Sequence, residues 1–428
     1  GSTLFQPLSD VVGFPLDQIN FFLSQIIALI CGFIFRCLFS PCRVGANVRH
    51  SFEAILGFSL LFFCFGIQSL VVVVQSVICW LIMWRVPHGT SEKLVFLTAM
   101  LFLAVCHSLR MYYDYSGYNL DITGPLMINT QRITSLAFSL SDGKELMTDP
   151  DIRTTPYIFN KTISELPSIL ELLSYSLSFH MIICGPFSFY KEYINFIHGN
   201  NITYQPLNAL FPVSTIVHEF YFSNYFKKLS SVAVFLVLMA VCTPMFPAQT
   251  LIDETFNSSH SLPYRIIYCV ISTSAARFKY YVAWKLAEAI NVAAGLGFGG
   301  VDQFGRQRWD FMDNVSVFKV EFATSIRTLL SNWNSRSTLW LRHVVYERTH
   351  NTLAVFAMSA LWHGFYPGYY VTFMTGAFLV YESRMVRPII RPKFQSSAVL
   401  SKVYDLLTFC STKLALTYLA VPFLLLEF

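Results

Sequence analysis

From Ala54 to Trp84 the chain carries no Asp, Glu, Lys or Arg. A helix on a soluble domain keeps one polar face, so a charge-free run of this length belongs in hydrocarbon. There, about 20 apolar residues rising roughly 1.5 Å each cross a core of about 30 Å. The run is too long for one upright crossing, and Gly66 and Gln68 divide it, so it reads as two closely spaced or tilted helices. Comparable apolar segments run from Leu16 to Phe39, Leu94 to Leu109, Ser168 to Tyr190 (broken at Gly185-Pro186), Leu229 to Phe246, Thr352 to Tyr381, and Val403 to the end. Only 13% of the 428 residues are charged and 54% are hydrophobic, where a soluble domain has about 25% charged residues. With no long polar block between the runs, residues 1–428 are expected to form one domain. Its class is all-α, a polytopic transmembrane bundle of about 9–11 helices with re-entrant or amphipathic segments enclosing an intramembrane chamber.

The composition excludes several alternatives. The net charge of +5 is modest and the basic residues are scattered beside the apolar runs. That suits anionic lipid or an anionic substrate and not nucleic acid. The opening "GSTLFQPLSDVVGFPLDQ" has Asp10 and Asp17 and no basic residue before Arg36, unlike a secretory signal. The ten cysteines lie almost entirely inside apolar segments with no CxxC pair, so neither a disulfide framework nor a metal site is expected. Sequons at Asn160, Asn201, Asn257 and Asn314 matter only where their loops face a lumen. No internal repeat is visible, which speaks against many transporter folds.

Three segments are polar within an apolar setting. "DITGPLMINTQRITSLAFSLSDG", Asp121 to Gly143, places Gln131 and Arg132 among apolar residues and reads as a re-entrant piece lining a cavity or as a surface amphipathic helix. Residues 143–167 read as a solvated loop. "RFKYYVAWKLAEAINVAAGLGFGG" sets Arg277, Lys279, Tyr281, Trp284, Lys285, Glu288 and Asn291 on one helix. Tyr281, Lys285 and Glu288 share one angular sector, as do Trp284, Glu288 and Asn291. The sector either lines a polar chamber or belongs to an interfacial helix with snorkelling lysines. From Val301 to Arg348, seven Lys/Arg against five Asp/Glu suggest one or two amphipathic helices at a membrane face, containing "SNWN".

The most telling stretch is "SALWHGFYPGYY", Ser359 to Tyr370, inside a run with no charge from Thr352 to Tyr381. His363 stands about 16 Å of helical rise beyond Thr352, near half the hydrocarbon thickness. Gly364, Pro367 and Gly368 then break the helix, and backbone groups released at such a depth need a cavity or ligand. A histidine there is either hydrogen-bonded to a neighbouring helix or functional, and in a bilayer the functional reading gains weight. Desolvation favours the neutral imidazole, which can accept a proton near pH 7. No HExxH, GxSxG or His-x4-Asp motif accompanies it.

"SALWHGFYPGYY" with the upstream "SNWN" resembles the paired signature of the membrane-bound O-acyltransferase family. "QPLSDVVGFPLDQINF", "GPLMINTQRITSLAFSLSDG", "KYYVAWKLAEAINVAAGLGFGGVD" and "PGYYVTFMTG" resemble its lysophospholipid acyltransferase branch, most nearly the enzymes of lysophosphatidylethanolamine and lysophosphatidylserine. The resemblance covers nearly the whole chain and implies His363 as the family histidine and Asn334 as its asparagine. Chemistry alone leaves Asn332 and Asn334 equivalent; the family pattern selects the residue after Trp333. The FYxDWWN motif of the sterol and diacylglycerol branch is absent. The family branch continues past another hydrophobic segment into a polar tail, so this chain is expected to lack a last helix.

The resemblance further implies acyl transfer from acyl-coenzyme A to the sn-2 hydroxyl of a lysophospholipid, in phospholipid remodelling at the endoplasmic reticulum, with an unsaturated chain such as oleoyl and no cofactor. Lysophosphatidylcholine is an acceptable acceptor on this reading. His363 would be the base and Asn334 a donor to the carbonyl oxygen. Trp333, Trp362, Tyr366, Ser359, Gln131, Arg277, Lys279, Tyr281, Trp284, Lys285, Glu288 and Asn291 would line the substrate chamber, the basic ones toward coenzyme A phosphates. Any single aromatic residue here more often serves as packing or an interface anchor. The alternatives are acyl transfer to a protein, and a lipid or proton transporter gated by His363.

Overall fold

The computed structural model describes residues 1–115, 117, 119–149, 155–203, 213–304 and 306–426, with side chains from 202 to 222 left aside. Among these residues the secondary structure is helical, apart from one isolated bridge between Val301 and Gln307. Among the described residues, five helical segments are long and apolar enough to cross a membrane: Leu16–Leu38, Ala46–Arg85, Ser91–Tyr113, Ser223–Ile252 and Ala398–Leu425. Their outward faces carry exposed Ile30, Ile55, Leu97, Leu101, Val237 and Leu406, the surface a lipid solvent accepts. The charge-free run is two helices, Ala46–Phe65 and Leu70–Arg85, joined by a 3-10 turn Gly66–Ser69. Gly66 makes the break at φ 58°, a conformation that favours glycine.

The chain divides into two compact units. The first comprises Gly1–Tyr113, Gly117–Leu229 and Leu286–Asp313. Its centre is helix Thr123–Thr148, buried along most of its length to Gly143, which excludes a surface amphipathic helix. Its polar groups are tolerated because they meet partners: Asn129 donates to Gln75 and Ser76 at 2.7 and 2.9 Å, and Gln75 donates to Thr130 at 3.1 Å. Arg132, fully buried, donates to the carbonyl oxygens of Tyr175 and Ser176 at 2.9 and 3.1 Å. The compensation is partial, because Arg132 Nε and Nη2 and Asn129 Oδ1 are buried without a hydrogen-bond partner.

Two expectations fail in this unit. The region read as a span from Ser168 to Tyr190 is helical only over Ile169–Leu177, behind a Ser168/Glu171 capping box. An irregular stretch with Gly185-Pro186 follows before helix Tyr190–His198. The expected loop of residues 143–167 starts as helix, which persists to Thr148, and it packs back where the Ile163 amide donates to the Ser139 carbonyl. Residues 150–154 of that loop lie outside the described residues.

The second unit comprises Asp114–Ser116, Ser230–Lys285 and Asn314–Phe428. Where one or two amphipathic helices were expected after Val301, the chain makes short helices Val317–Glu321, Ile326–Asn332 and Ser335–Leu341, a π turn Arg342–Tyr346, and Glu347–Thr349. Local caps interrupt any longer helix: Ser325 accepts from the Thr328 amide, and Asn334 turns left-handed. The expected span from Thr352 is split into Thr352–His363 and Pro367–Phe394. Asn351 caps the first through the amides of Leu353 and Ala354, and Pro367 opens the second, where its missing N–H costs nothing. Helices Pro367–Phe394 and Ala398–Leu425 pack closely at Gly368, whose added Cβ would collide with the Pro422 carbonyl.

Candidate active site

His363 is the last residue of helix Thr352–His363, and Gly364 follows at φ 125°, ψ −161°. The His363 Nδ1 lies 2.7 Å from the Ser359 carbonyl oxygen. A carbonyl can only accept, so Nδ1 carries the hydrogen and, in the neutral ring, Nε2 is the basic nitrogen. The ring is half-buried in an aromatic collar, with centroids 4.7 Å from Trp362, 4.7 Å from Phe373, 5.4 Å from Phe423 and 5.7 Å from Tyr369. Ser359, Trp362 and Tyr366 are buried beside it, and the Tyr366 ring meets Tyr115 at a tilt and Tyr369 edge-on. An imidazole fixed by its own helix and walled by rings is a preset proton acceptor.

Asn334 is the N-cap of helix Ser335–Leu341 at φ 45°, ψ 47°. Asparagine is among the few residues that occupy the left-handed region readily. Asn314 holds this corner: its carbonyl accepts from the Ser335 amide at 2.9 Å and its side-chain oxygen from the Arg336 amide at 3.1 Å. That buried Asn314 amide leaves no room for the glycan its sequon would invite. The Asn334 carboxamide bonds no other described residue, so its N–H groups are available to a substrate. The helix it opens meets helix Thr352–His363 through the Trp340 and Trp362 rings, 5.6 Å apart. One ring therefore touches both the imidazole and the helix that starts at the amide.

The residue before it, Trp333, sits in a cage of Trp284, Tyr280 and Tyr281, at 4.9, 5.9 and 6.0 Å. Beneath the cage lies a group that sequence reasoning missed. Glu321 accepts from Arg277 Nε and Nη2, each at 2.8 Å, from the Tyr281 hydroxyl at 2.5 Å and from Lys413 Nζ at 2.5 Å. Burial pushes the Glu321 carboxyl up, but Arg277 and Lys413 outweigh it and bring it down to about 2. Arg277 is thus held by a carboxylate, a structural tie between helices. Lys285 donates to the Val315 carbonyl at 2.6 Å, while Lys279 is exposed beside Tyr280. The only sequence signal for Glu321 was its charge within an apolar neighbourhood.

The remaining nominated residues lie in the first unit. Glu288, fully buried, pairs with Lys228 at 3.0 Å, and Lys228 also bonds Asp313. Asn291 donates to the His180 and Ala287 carbonyls, so its Oδ1 accepts from His180 Nδ1 at 2.9 Å, and His180 Nε2 meets Glu53 at 3.1 Å. Gln131 is buried in helix Thr123–Thr148. Tyr281, Lys285 and Glu288, one sector by helical spacing, are divided between the units, with the boundary after Lys285.

The sequence model of the MBOAT, membrane-bound O-acyltransferase, family matches residues 107–421. Over its whole length the chain is similar to lysophospholipid acyltransferase 6 of Drosophila melanogaster, at 38% identity and covering 60% of that protein. It is also similar to membrane-bound glycerophospholipid O-acyltransferase 2 of Gallus gallus, at 40% identity over 83% of that protein. A third relative, membrane-bound glycerophospholipid O-acyltransferase 1 of Homo sapiens, is 38% identical over 87% of its length.

Proposed function

Since the chain belongs to the membrane-bound O-acyltransferase family, we propose that this multi-pass enzyme moves a fatty acyl group from acyl-coenzyme A to the sn-2 hydroxyl of a lysophospholipid. The acceptor class follows the names of its relatives, and lysophosphatidylethanolamine and lysophosphatidylserine are the favoured headgroups. The donor is an unsaturated acyl-coenzyme A such as the oleoyl thioester, no cofactor takes part, and the site of action is the endoplasmic reticulum membrane.

The observation that carries the mechanism is the bond from His363 Nδ1 to the Ser359 carbonyl at 2.7 Å. It presents Nε2 as the base. As the glycerol oxygen attacks the thioester carbon, Nε2 takes the hydroxyl proton, and the imidazolium returns it to the departing coenzyme A sulfur as the tetrahedral species collapses. Both substrates meet in one site, so no acyl-enzyme forms. Asn334 donates to the carbonyl oxygen while it carries negative charge. The collar of Trp362, Tyr369, Phe373 and Phe423 limits water, the competing acyl acceptor. Arg277 is engaged by Glu321, and Lys279, exposed at the surface, would meet a coenzyme A phosphate.

Microsomes expressing the chain are supplied with radiolabelled oleoyl-coenzyme A and a panel of lysophospholipids. The expected result is labelled diacyl phospholipid, with the ethanolamine and serine acceptors ahead. Label appearing only on protein, or lipid movement without coenzyme A release, would remove the proposal in favour of protein acylation or transport.

A further inference from the structure

Within the first unit, His50, Glu171 and His198 each bring one ligand atom into a group whose members lie within 4.8 Å of one another. They come from three packed helices, Ala46–Phe65, Ile169–Leu177 and Tyr190–His198, and lie far apart in sequence. Ligands so far apart along the chain leave no local sequence motif.

The protonation of His50 is fixed by its neighbour. The Ser174 hydroxyl donates to the Glu171 carbonyl at 2.9 Å, so its oxygen accepts from His50 Nδ1 at 2.6 Å. His50 Nε2 then bears the lone pair. It is buried with no hydrogen-bond partner, and the residue is only 1% exposed. A buried acceptor without a partner costs free energy comparable to a lost hydrogen bond. Metal-binding histidines have this arrangement, with one ring nitrogen donating to a fixed acceptor and the other turned to the ion.

Glu171 uses one carboxylate oxygen, Oε2, on the Ser168 amide of its own cap, which holds the carboxylate in place. His198 ends its helix, exposed, with its ring centroid 6.5 Å from that of His50. Glu171 also lines a cleft of about 400 Å³ with Thr162, Glu165, Tyr190, Lys191 and Asn195, an approach for an ion from solvent.

We propose that His50, Glu171 and His198 bind a divalent transition-metal ion, zinc by ligand type, with water completing the coordination. Two imidazoles and one carboxylate are a nitrogen/oxygen set suited to zinc. Bonds of about 2.0–2.1 Å place tetrahedral ligands roughly 3.3–3.5 Å apart. Closing the remaining gap requires the exposed His198 and half-buried Glu171 side chains to turn inward. The ion would staple three helices of the first unit, a role independent of the acyl transfer assigned to the second.

The test uses the whole chain, purified in detergent and stripped with a chelator. Titration with Co²⁺ should give visible d–d bands that saturate at one equivalent and disappear when Zn²⁺ is added. Zn²⁺ should also raise the melting midpoint. His198→Ala, which removes an exposed ring, and Glu171→Gln, which keeps the cap, should each weaken Co²⁺ binding at least tenfold, with melting in chelator unchanged for His198→Ala. Absence of the bands in wild type, or bands of equal strength in both variants, would overturn the site and leave only adventitious binding. Acyl transfer measured on the same samples separates this result from the fate of the proposed function.

Discussion

Glu321→Gln tests whether the buried carboxylate under the Trp333 cage holds the second unit together. The carboxylate receives Arg277 through two bonds of 2.8 Å, and the Tyr281 hydroxyl and Lys413 ammonium at 2.5 Å each. Glutamine retains one acceptor oxygen and turns a donor toward a guanidinium or an ammonium. The side chains of Arg277, Glu321 and Lys413 are only 4%, 15% and 18% exposed, so the stranded cations cannot fully rehydrate. Breaking a buried pair costs about 3–5 kcal/mol, and partial exposure places this one near about 3 kcal/mol. For a unit of this size that lowers the melting midpoint by roughly 5–10 °C.

The pH dependence has a definite sign. The carboxyl falls from its ordinary 4.5 to about 2 in the fold, so its contribution is complete above pH 4.5 and is lost as pH falls toward 2. Melting curves of wild type should fall across that window, and those of the glutamine variant should lack this component. Replacing Lys413 by Met in the glutamine background removes one stranded cation and should recover part of the loss. Because Tyr281 packs on Trp333, next to Asn334, kcat should fall more than KM rises. An unchanged midpoint at pH 7 would refute the reasoning.

Removing the base by His363→Ala, or by the closer-sized His363→Gln, should lower kcat by about 10²–10⁴-fold with little change in KM, read in the lysolipid assay at matched protein levels; activity within a few-fold of wild type would eliminate the base. Asn334→Gly keeps the left-handed backbone and deletes the amide, so it should melt like wild type while losing about 10²–10³-fold in kcat. Asn334→Ala should lose similar activity and also about 1 kcal/mol of stability, because alanine pays for the positive φ. Gly368→Ala forces helix Pro367–Phe394 away from the Pro422 carbonyl and shifts Phe423 on the imidazole. Its expected outcome is a lower midpoint and faster thioester hydrolysis relative to acyl transfer, read as coenzyme A released without labelled lipid.

The features legible in sequence were those written in consecutive residues. The charge-free run, Gly66 between its halves, and the break after His363 are short-range signals, and the helices follow them. What failed depends on partners distant along the chain. The segment Asp121 to Gly143 left a surface amphipathic helix open because Gln75, Ser76 and the carbonyls of Tyr175 and Ser176 could not be placed opposite Asn129 and Arg132. The pairing of Arg277 with Glu321 was likewise invisible in the sequence, where Arg277 is forty-four residues away from it. Helical spacing grouped Glu288 with Tyr281 and Lys285, yet Glu288 pairs with Lys228, and both belong to the first unit while Tyr281 and Lys285 belong to the second. The basic stretch after Val301 suggested continuous amphipathic helix, since a left-handed asparagine has no signature beyond its own identity.

Arg132 also bears on how the chain is assembled during synthesis. Helix Thr123–Thr148 is not among the segments apolar enough to cross a membrane, and an arginine costs about 2.5–3.5 kcal/mol at the centre of a lone membrane helix, so it cannot be buried before its acceptors are present. The carbonyls that receive this arginine belong to Tyr175 and Ser176 and are translated later. Until they emerge, helix Thr123–Thr148 cannot bury Arg132 against its final acceptors, and Gln75 and Ser76 supply its first polar partners. A ribosome-stalled intermediate ending before Tyr175 would accordingly hold that helix loosely, and release past Ser178 would lock it.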